Sequence, residues 1–202
     1  MTGAQGDHHL KEPELHFSNY KVSWKTKHTF KNEDAAATIF AHLAGVASAQ
    51  VKAKFIVVRM QGCPAVYSVL ISGFVNCTGL PSRSAIQRAV DRYKNWFDLS
   101  RIEGFRIDCM AAHCNLNRPV QLSKVQCPDD DMASTQFCSE VFPGVIIRIF
   151  TRGSATVYGN GKITLVGGRT EAEMRSILHK VLYILRTSAL RHECTDIIPV
   201  QP

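Results

Sequence analysis

The chain is short of negative charge. Its 202 residues hold 17 aspartates and glutamates against 24 lysines and arginines, a formal net charge of +7 with a pI near 9.1. That deficit points to acidic partners, nucleic acid first among them; a merely solvated basic surface has the same arithmetic. The sequence also lacks any run of about 18 apolar residues, so no membrane partner is expected. A Walker loop, a nucleophile elbow, an HExxH pair and a paired-carboxylate constellation are all missing, which argues against an enzyme. The acidic run Asp129–Asp131 lies in a Pro-bearing connection and reads as a solvated loop. Cysteine is not scarce, but its count of seven is odd. With no secretory leader expected, reduced thiols in an intracellular compartment are the simplest account. Cys109, His113 and Cys114 are close in sequence but have no second ligand pair to complete a tetrahedral site. Alternating strand residues explain them better, and no metal or cofactor is expected.

What is present is a repeat. YGNGKITLVGGRTEAEM (158–174) echoes LISGFVNCTGLPSRSAI (70–86): Gly161 falls on Gly73, Gly167 on Gly79, Thr170 on Ser82 and Met174 on Ile86, an offset of 161 − 73 = 88 residues. Self-similarity at that spacing makes the chain two related halves. Residues 1–14 are polar and aperiodic and read as a mobile tail, 15–100 as the first repeat, 101–188 as the second, and 189–202 as a C-terminal tail.

Each half runs in the same order. In the first, 16–29 is strand-like, Asn32 caps a helix over about 33–47 with Ile39, Phe40, Leu43 and Val46 on one face, and 54–60, 66–71 and 74–78 are strands. Ser72–Gly73 turns the last pair. Helix 82–97 carries Ile86, Ala89, Val90, Tyr93 and Phe97 at spacings of three and four. In the second half, 105–116, 144–150, 154–158 and 162–166 are strands; the matching first helix should fall in 118–140, a Pro- and Asp-containing stretch. Thr170 and Glu173 form a capping box ahead of a helix with Met174, Ile177, Leu178, Val181, Leu182 and Leu185 in one stripe. Hairpins closed by a long amphipathic helix argue α+β with an antiparallel sheet. Period two puts Ile163 and Leu165, and likewise Val75 and Cys77, under the helices. Two such halves sharing one curved sheet leave its concave side free to bind something long.

FPGVIIRI (142–149), GKITLVGGRTEAE (161–173), NCTG (76–79) and FRIDCMAAHCNLNRPVQL (105–122) resemble the TATA-box-binding protein family, and the likeness spans about 15–188. The resemblance implies a saddle: two pseudo-symmetric repeats in one curved antiparallel sheet, helices on the convex face, the concave face on a widened DNA minor groove with aromatic wedges at each end. Carried over residue by residue, the wedges are Phe142 and Tyr158 in the second repeat. In the first, Ala53 and Leu70 take those places, with Phe55 two residues beyond Ala53. Phosphate-contacting positions fall on Arg148, Lys162 and Arg169 in the second repeat and on Arg59 in the first, where Phe74 and Pro81 replace the two lysines. The family's central asparagine pair falls on Asn19 and Cys109. Other concave positions are Lys21, Ser68, Asn76, Thr78, Ala111, Thr156, Thr164 and Val166.

The resemblance also implies partners. Arg88, Arg92 and Lys94, with Arg83, lie on the first-repeat helix that in the family meets factors of the TFIIA or TFIIIB kind; a solvated helix face is the plain alternative. Glu140 matches an acidic loop position used for TFIIB-like partners. The expected function is a transcription initiation factor on promoter DNA with relaxed TATA choice, acting in the nucleus, or at the site of viral transcription if the source is a virus. The alternative is an interaction scaffold on the same saddle, brought to promoters by partners. A homodimer is possible in either case.

Overall fold

A computed structural model describes residues 12–128, 132–150 and 153–195, with side chains to 189. Ten antiparallel strands form one sheet: β1 (His16–Lys25), β2 (Val46–Lys52), β3 (Phe55–Met60), β4 (Val66–Val69), β5 (Phe74–Leu80), β6 (Glu103–Asn115), β7 (Ala133–Gln136), β8 (Gly144–Ile149), β9 (Gly153–Tyr158) and β10 (Lys162–Val166). Their order across the sheet is β2-β3-β4-β5-β1-β6-β10-β9-β8-β7. Read outward from the β1–β6 seam, the two sides match strand for strand, as the sequence echo predicts.

Three helices lie on one face: α1 (Glu33–Ala41), α2 (Arg83–Trp96) and α3 (Glu171–Thr195). Their starts follow from capping. Asn32 Oδ1 accepts from the Ala35 N–H at 2.8 Å, Ser82 Oγ from Ala85 at 3.1 Å, and Thr170 Oγ1 from Glu173 at 3.1 Å. Each bond fills one of the N–H groups that a helix end leaves open. The Glu173 carboxylate reaches back to the Arg169 N–H at 2.8 Å.

Strand alternation separates core from open face. Val75, Cys77, Val145, Ile147, Ala155, Val157, Ile163 and Leu165 are buried under the helices. Over the second half, α3 contributes Met174, Ile177, Leu178, Val181, Ile184 and Leu185; at about 1.5–3 kcal/mol per buried side chain this stripe supplies on the order of 10 kcal/mol of gross stabilisation. Over the first half the core is aromatic. Trp24 meets Tyr93 edge-on at 5.6 Å, Phe40 meets Phe97 at 5.5 Å, and the buried Tyr67 hydroxyl donates to the Ala89 carbonyl at 3.0 Å.

Several expected bounds move. Helix α1 stops at Ala41, and Val46 opens β2, an edge strand the sequence pattern does not announce. On α1 the buried residues are Ala36 and Phe40, while Ile39 is exposed. The first strand ends at Lys25. In the second half a single turn of 3-10 helix, Leu122–Lys124, stands where a helix was expected, and the short β7 follows it. On α3 Ile184 is buried and Leu182 only partly so, and the helix continues past Ala189 to Thr195. Of the N-terminal stretch, Glu12 is placed against α3, 3.1 Å from His179 and 3.9 Å from Arg175. Residues 1–11 and Asp129–Asp131 lie outside the described residues.

Candidate nucleic-acid interface

The face opposite the helices is uncovered, and the strand ladder fixes what stands on it. In the second half, β8 presents Ile146 and Arg148, β9 Thr156 and Tyr158, and β10 Lys162, Thr164 and Val166, alternating along each strand with buried residues. Tyr158 pairs with Gly144, and the Phe142 and Tyr158 rings lie 6.1 Å apart, tilted by 57°. Gly144 makes room for this: a Cβ there would sit 3.0 Å from Phe142 Cε1. The two aromatic residues expected at this end are thus brought together, with Lys162 on the neighbouring strand. Arg148 is exposed on β8 of the same face. Arg169 is exposed too, but it lies past the end of β10, ahead of α3, off the ladder.

The first half is built differently. Ala53 sits in the β2–β3 turn at φ +47°, where it offers no ring and cannot reach into a base step. Val69 pairs with both Ile56 and Val75, so Leu70, one residue on, falls between Phe55 and Phe74 on the open face. The Leu70 N–H donates to the Phe74 carbonyl at 2.9 Å. Lys52 pairs with Phe55 and Lys25 with Phe74, which completes a row of Lys52, Phe55, Leu70, Phe74 and Lys25. Phe74 does take the place of a cation, but Lys25 stands beside it. Sequence reasoning missed this row because Lys25 and Lys52 belong to strands far apart in the chain. Arg59 is exposed further along β3.

At the seam, Asn19 and Lys21 are exposed on β1, opposite Ala111 and Cys109 on β6. The Asn19 carbonyl oxygen is already engaged, accepting from the Gly79 and Leu80 N–H groups at 3.1 Å each. Only its amide NH2 faces outward as a donor. The Cys109 thiol donates weakly to the Met110 carbonyl at 3.7 Å. Cys114 is buried on the helix side, while Cys109 and His113 share the open face, as strand alternation requires. The His113 ring lies 5.6 Å from that of His16, a second pairing the linear sequence hides. Thr78, Ser68 and Asn76 also line this face, each partly exposed.

The helix side carries the residues expected to meet partners. Arg88 and Arg92 are exposed one turn apart and flank a small hollow of about 100 Å³ with Cys63 and Pro64. Lys94 points away from them, since two further residues turn a helix by about 200°. Arg83 instead pairs with Glu171 at 3.1 Å, tying α2 to the start of α3. Both side chains are largely exposed, so the pair is worth about 1 kcal/mol at most. Glu140 is exposed in the β7–β8 turn that Val141 and Phe142 close on the Cys138 carbonyl.

Comparison with known proteins places this geometry. Residues 104–188 match the family model described as transcription factor TFIID, or TATA-binding protein. A TATA-box-binding protein of Methanocaldococcus jannaschii is 25% identical over 183 residues, 86% of this chain and 94% of that protein. One from Methanopyrus kandleri is 25% identical over 138 residues, 62% of this chain and 74% of that protein. The solved structure of the Methanococcus jannaschii TBP superposes with a TM-score of 0.69 at 20% identity, covering 87% of this chain and 99% of that one.

Together these findings support a divergent member of the TATA-box-binding protein family. Its fold is the TBP saddle, a single curved antiparallel sheet with helices on the convex side. Within that fold the concave side is the open face just described. This TBP-like chain keeps an aromatic pair at one end of the saddle and replaces the other end with an apolar row flanked by lysines.

Proposed function

We propose that this protein is a TBP-like transcription initiation factor that holds promoter DNA by the minor groove against its concave face. The observation that carries the proposal is the second-half cluster: Phe142 and Tyr158 paired at 6.1 Å with Lys162 beside them and Arg148 on the same uncovered face. Rings inserted at a base step and cations on flanking phosphates are the two ingredients of minor-groove binding by a sheet. At the other end Leu70, Phe55 and Phe74 form a broader apolar surface, and Leu and Phe are both wedge types. Lys21, Asn19, Arg59, Thr78 and Val166 lie between the two ends. Small polar residues dominate the middle, so less apolar area meets the sugars and sequence choice is relaxed. Arg88 and Arg92 on α2, and Glu140 beside Phe142, are the surfaces proposed for factors of the TFIIA, TFIIIB and TFIIB kind, at promoters in the nucleus.

A second reading is favoured by the seam, where Lys21, Cys109 and the committed Asn19 carbonyl replace a symmetric pair of groove-reading amides. In it the saddle is a scaffold that partners bring to promoters, with little DNA affinity of its own. Titrating a TATA duplex and a scrambled duplex over a salt series separates the two. Lys21, Lys25, Lys52, Arg59, Arg148 and Lys162 at about 0.9 each predict a slope of log K against log salt near −5, with a relaxed choice between the two duplexes. No binding to either duplex near physiological salt puts the scaffold ahead.

A further inference from the structure

Near the middle of the concave face lies a charged pair that neither wedges nor phosphate contacts account for. Ser23 pairs with Arg106 across the seam and with Asn76 on its other side. It shares their open face, yet it is fully buried. Arg106 covers it: Nε donates to Ser23 Oγ at 3.1 Å and to Asp108 Oδ1 at 2.7 Å. A bulge brings Asp108 there. Lys21 pairs with Cys109 and Val22 with Ile107, so Asp108 is the extra residue of β6, turned to the side of Arg106. The Arg106 side chain is 67% exposed and that of Asp108 20%. With Nε and Oδ1 engaged, the terminal guanidinium nitrogens and Oδ2 remain for something outside.

The pair suits a base edge better than a phosphate. Its two charges offset each other, so it adds little to the attraction for the backbone. It presents a donor and an acceptor side by side. Every base pair offers acceptors in the minor groove, but the only donor there is the 2-amino group of guanine. Along this face the Asn19 oxygen is committed, Cys109 is a poor acceptor, and Asn76 on β5 offers a neutral amide oxygen; Asp108 is the carboxylate nearest the seam's centre. The other carboxylate of β6, Glu103, stands at the strand's start beside Arg101 at 3.8 Å.

We propose that Asp108 and Arg106 read a G·C pair through the minor groove at the base step facing the β1–β6 seam. Oδ2 of Asp108 accepts from the guanine 2-amino group, and the guanidinium donates to the groove acceptors beside it. This rests on the DNA-binding reading and makes the sequence choice of this saddle different from a run of A·T pairs.

The test uses the full chain and a set of short duplexes in which one position at a time is A·T, G·C or inosine·C. Inosine keeps the groove acceptors of guanine and lacks only the amino group. At one position near the centre of the site, G·C should bind about tenfold tighter than inosine·C. Asp108→Ala should bring that ratio to about one, and Arg106→Ala should reduce it. Each ratio comes from a single preparation, so a partly folded variant does not distort it. Equal binding of G·C and inosine·C at every position by the wild type, or an unchanged ratio in Asp108→Ala, overturns the assignment and leaves DNA binding standing. No binding to any duplex overturns both.

Discussion

Replacing Gly161 by alanine should destabilise the protein by about 3–5 kcal/mol, and the magnitude follows from three contributions. Gly161 has φ +87°, and a side chain in that region costs about 1–2 kcal/mol. Its new Cβ would lie 2.2 Å from the Arg118 carbonyl oxygen, well inside an ordinary contact of about 3.5 Å. That oxygen is backbone, so it cannot swing aside as a side-chain tip would. Moving it disturbs two nearby bonds, Leu116 N–H to the Gly161 carbonyl at 3.0 Å and Val120 N–H to the Gly159 carbonyl at 2.9 Å. Each is worth about 1 kcal/mol. Gly62 is the control: its φ is +62°, and nothing lies within 4 Å of a Cβ placed there. Gly62→Ala should therefore show only the backbone strain. In thermal unfolding, at about 2–4 °C per kcal/mol for a chain of this size, Gly161→Ala should lower Tm by about 10 °C and Gly62→Ala by about 3 °C. Equal losses within about 0.5 kcal/mol would refute the steric reasoning. Because this turn joins Tyr158 to Lys162, the same variant should weaken any duplex binding.

Lys162→Ala should reduce the salt slope of duplex binding by about 0.9, and Phe74→Lys, which restores a cation in the first half, should raise it by a similar amount; an unchanged slope in either variant removes that position from the interface. Burial pushes the Cys77 thiol up to about 12 and the Cys114 thiol up to about 11. A proton held more tightly when folded means stability is full below the unfolded thiol value of about 8.5 and is lost as pH rises through the folded values. Urea unfolding between about pH 9 and 11 should show a falling midpoint, with roughly 1 kcal/mol per pH unit from each thiol, and Cys77→Ala should flatten that slope. A flat profile in the wild type would mean that the thiols titrate alike in both states.

The repeat, the order of the halves, the faces of β5 and β10 and the caps at Asn32 and Thr170 were legible because each rests on a local rule: period two, period near 3.6, or a hydroxyl or amide ahead of an apolar run. Edge strands were not. VASAQVK in β2 has no large apolar alternation, since an edge strand packs little, and β7 has only four residues. The boundary at Ala41 was hidden because the alanines of this stretch continue into the strand. At the site, Phe142, Tyr158, Lys162 and Arg148 came from the resemblance to the family, whose motif their stretches match; what the strand ladder adds is the 6.1 Å approach of the two rings and the open face of the two cations. The row Lys52, Phe55, Leu70, Phe74 and Lys25 was not legible, because three hairpins and the return of β1 assemble it. The Arg106–Asp108 pair depends on a bulge, which no periodicity announces.

The shape of bound DNA tests the role of the concave face most directly. A TATA duplex labelled with a donor and an acceptor dye at its two ends should show a shorter end-to-end distance when the wild-type chain binds. The double variant Phe142→Ala, Tyr158→Ala should bind more weakly and leave the duplex straighter at saturation. A duplex that stays straight with the wild type, or bends equally with the double variant, would contradict the claim that the paired rings on the concave face open the minor groove.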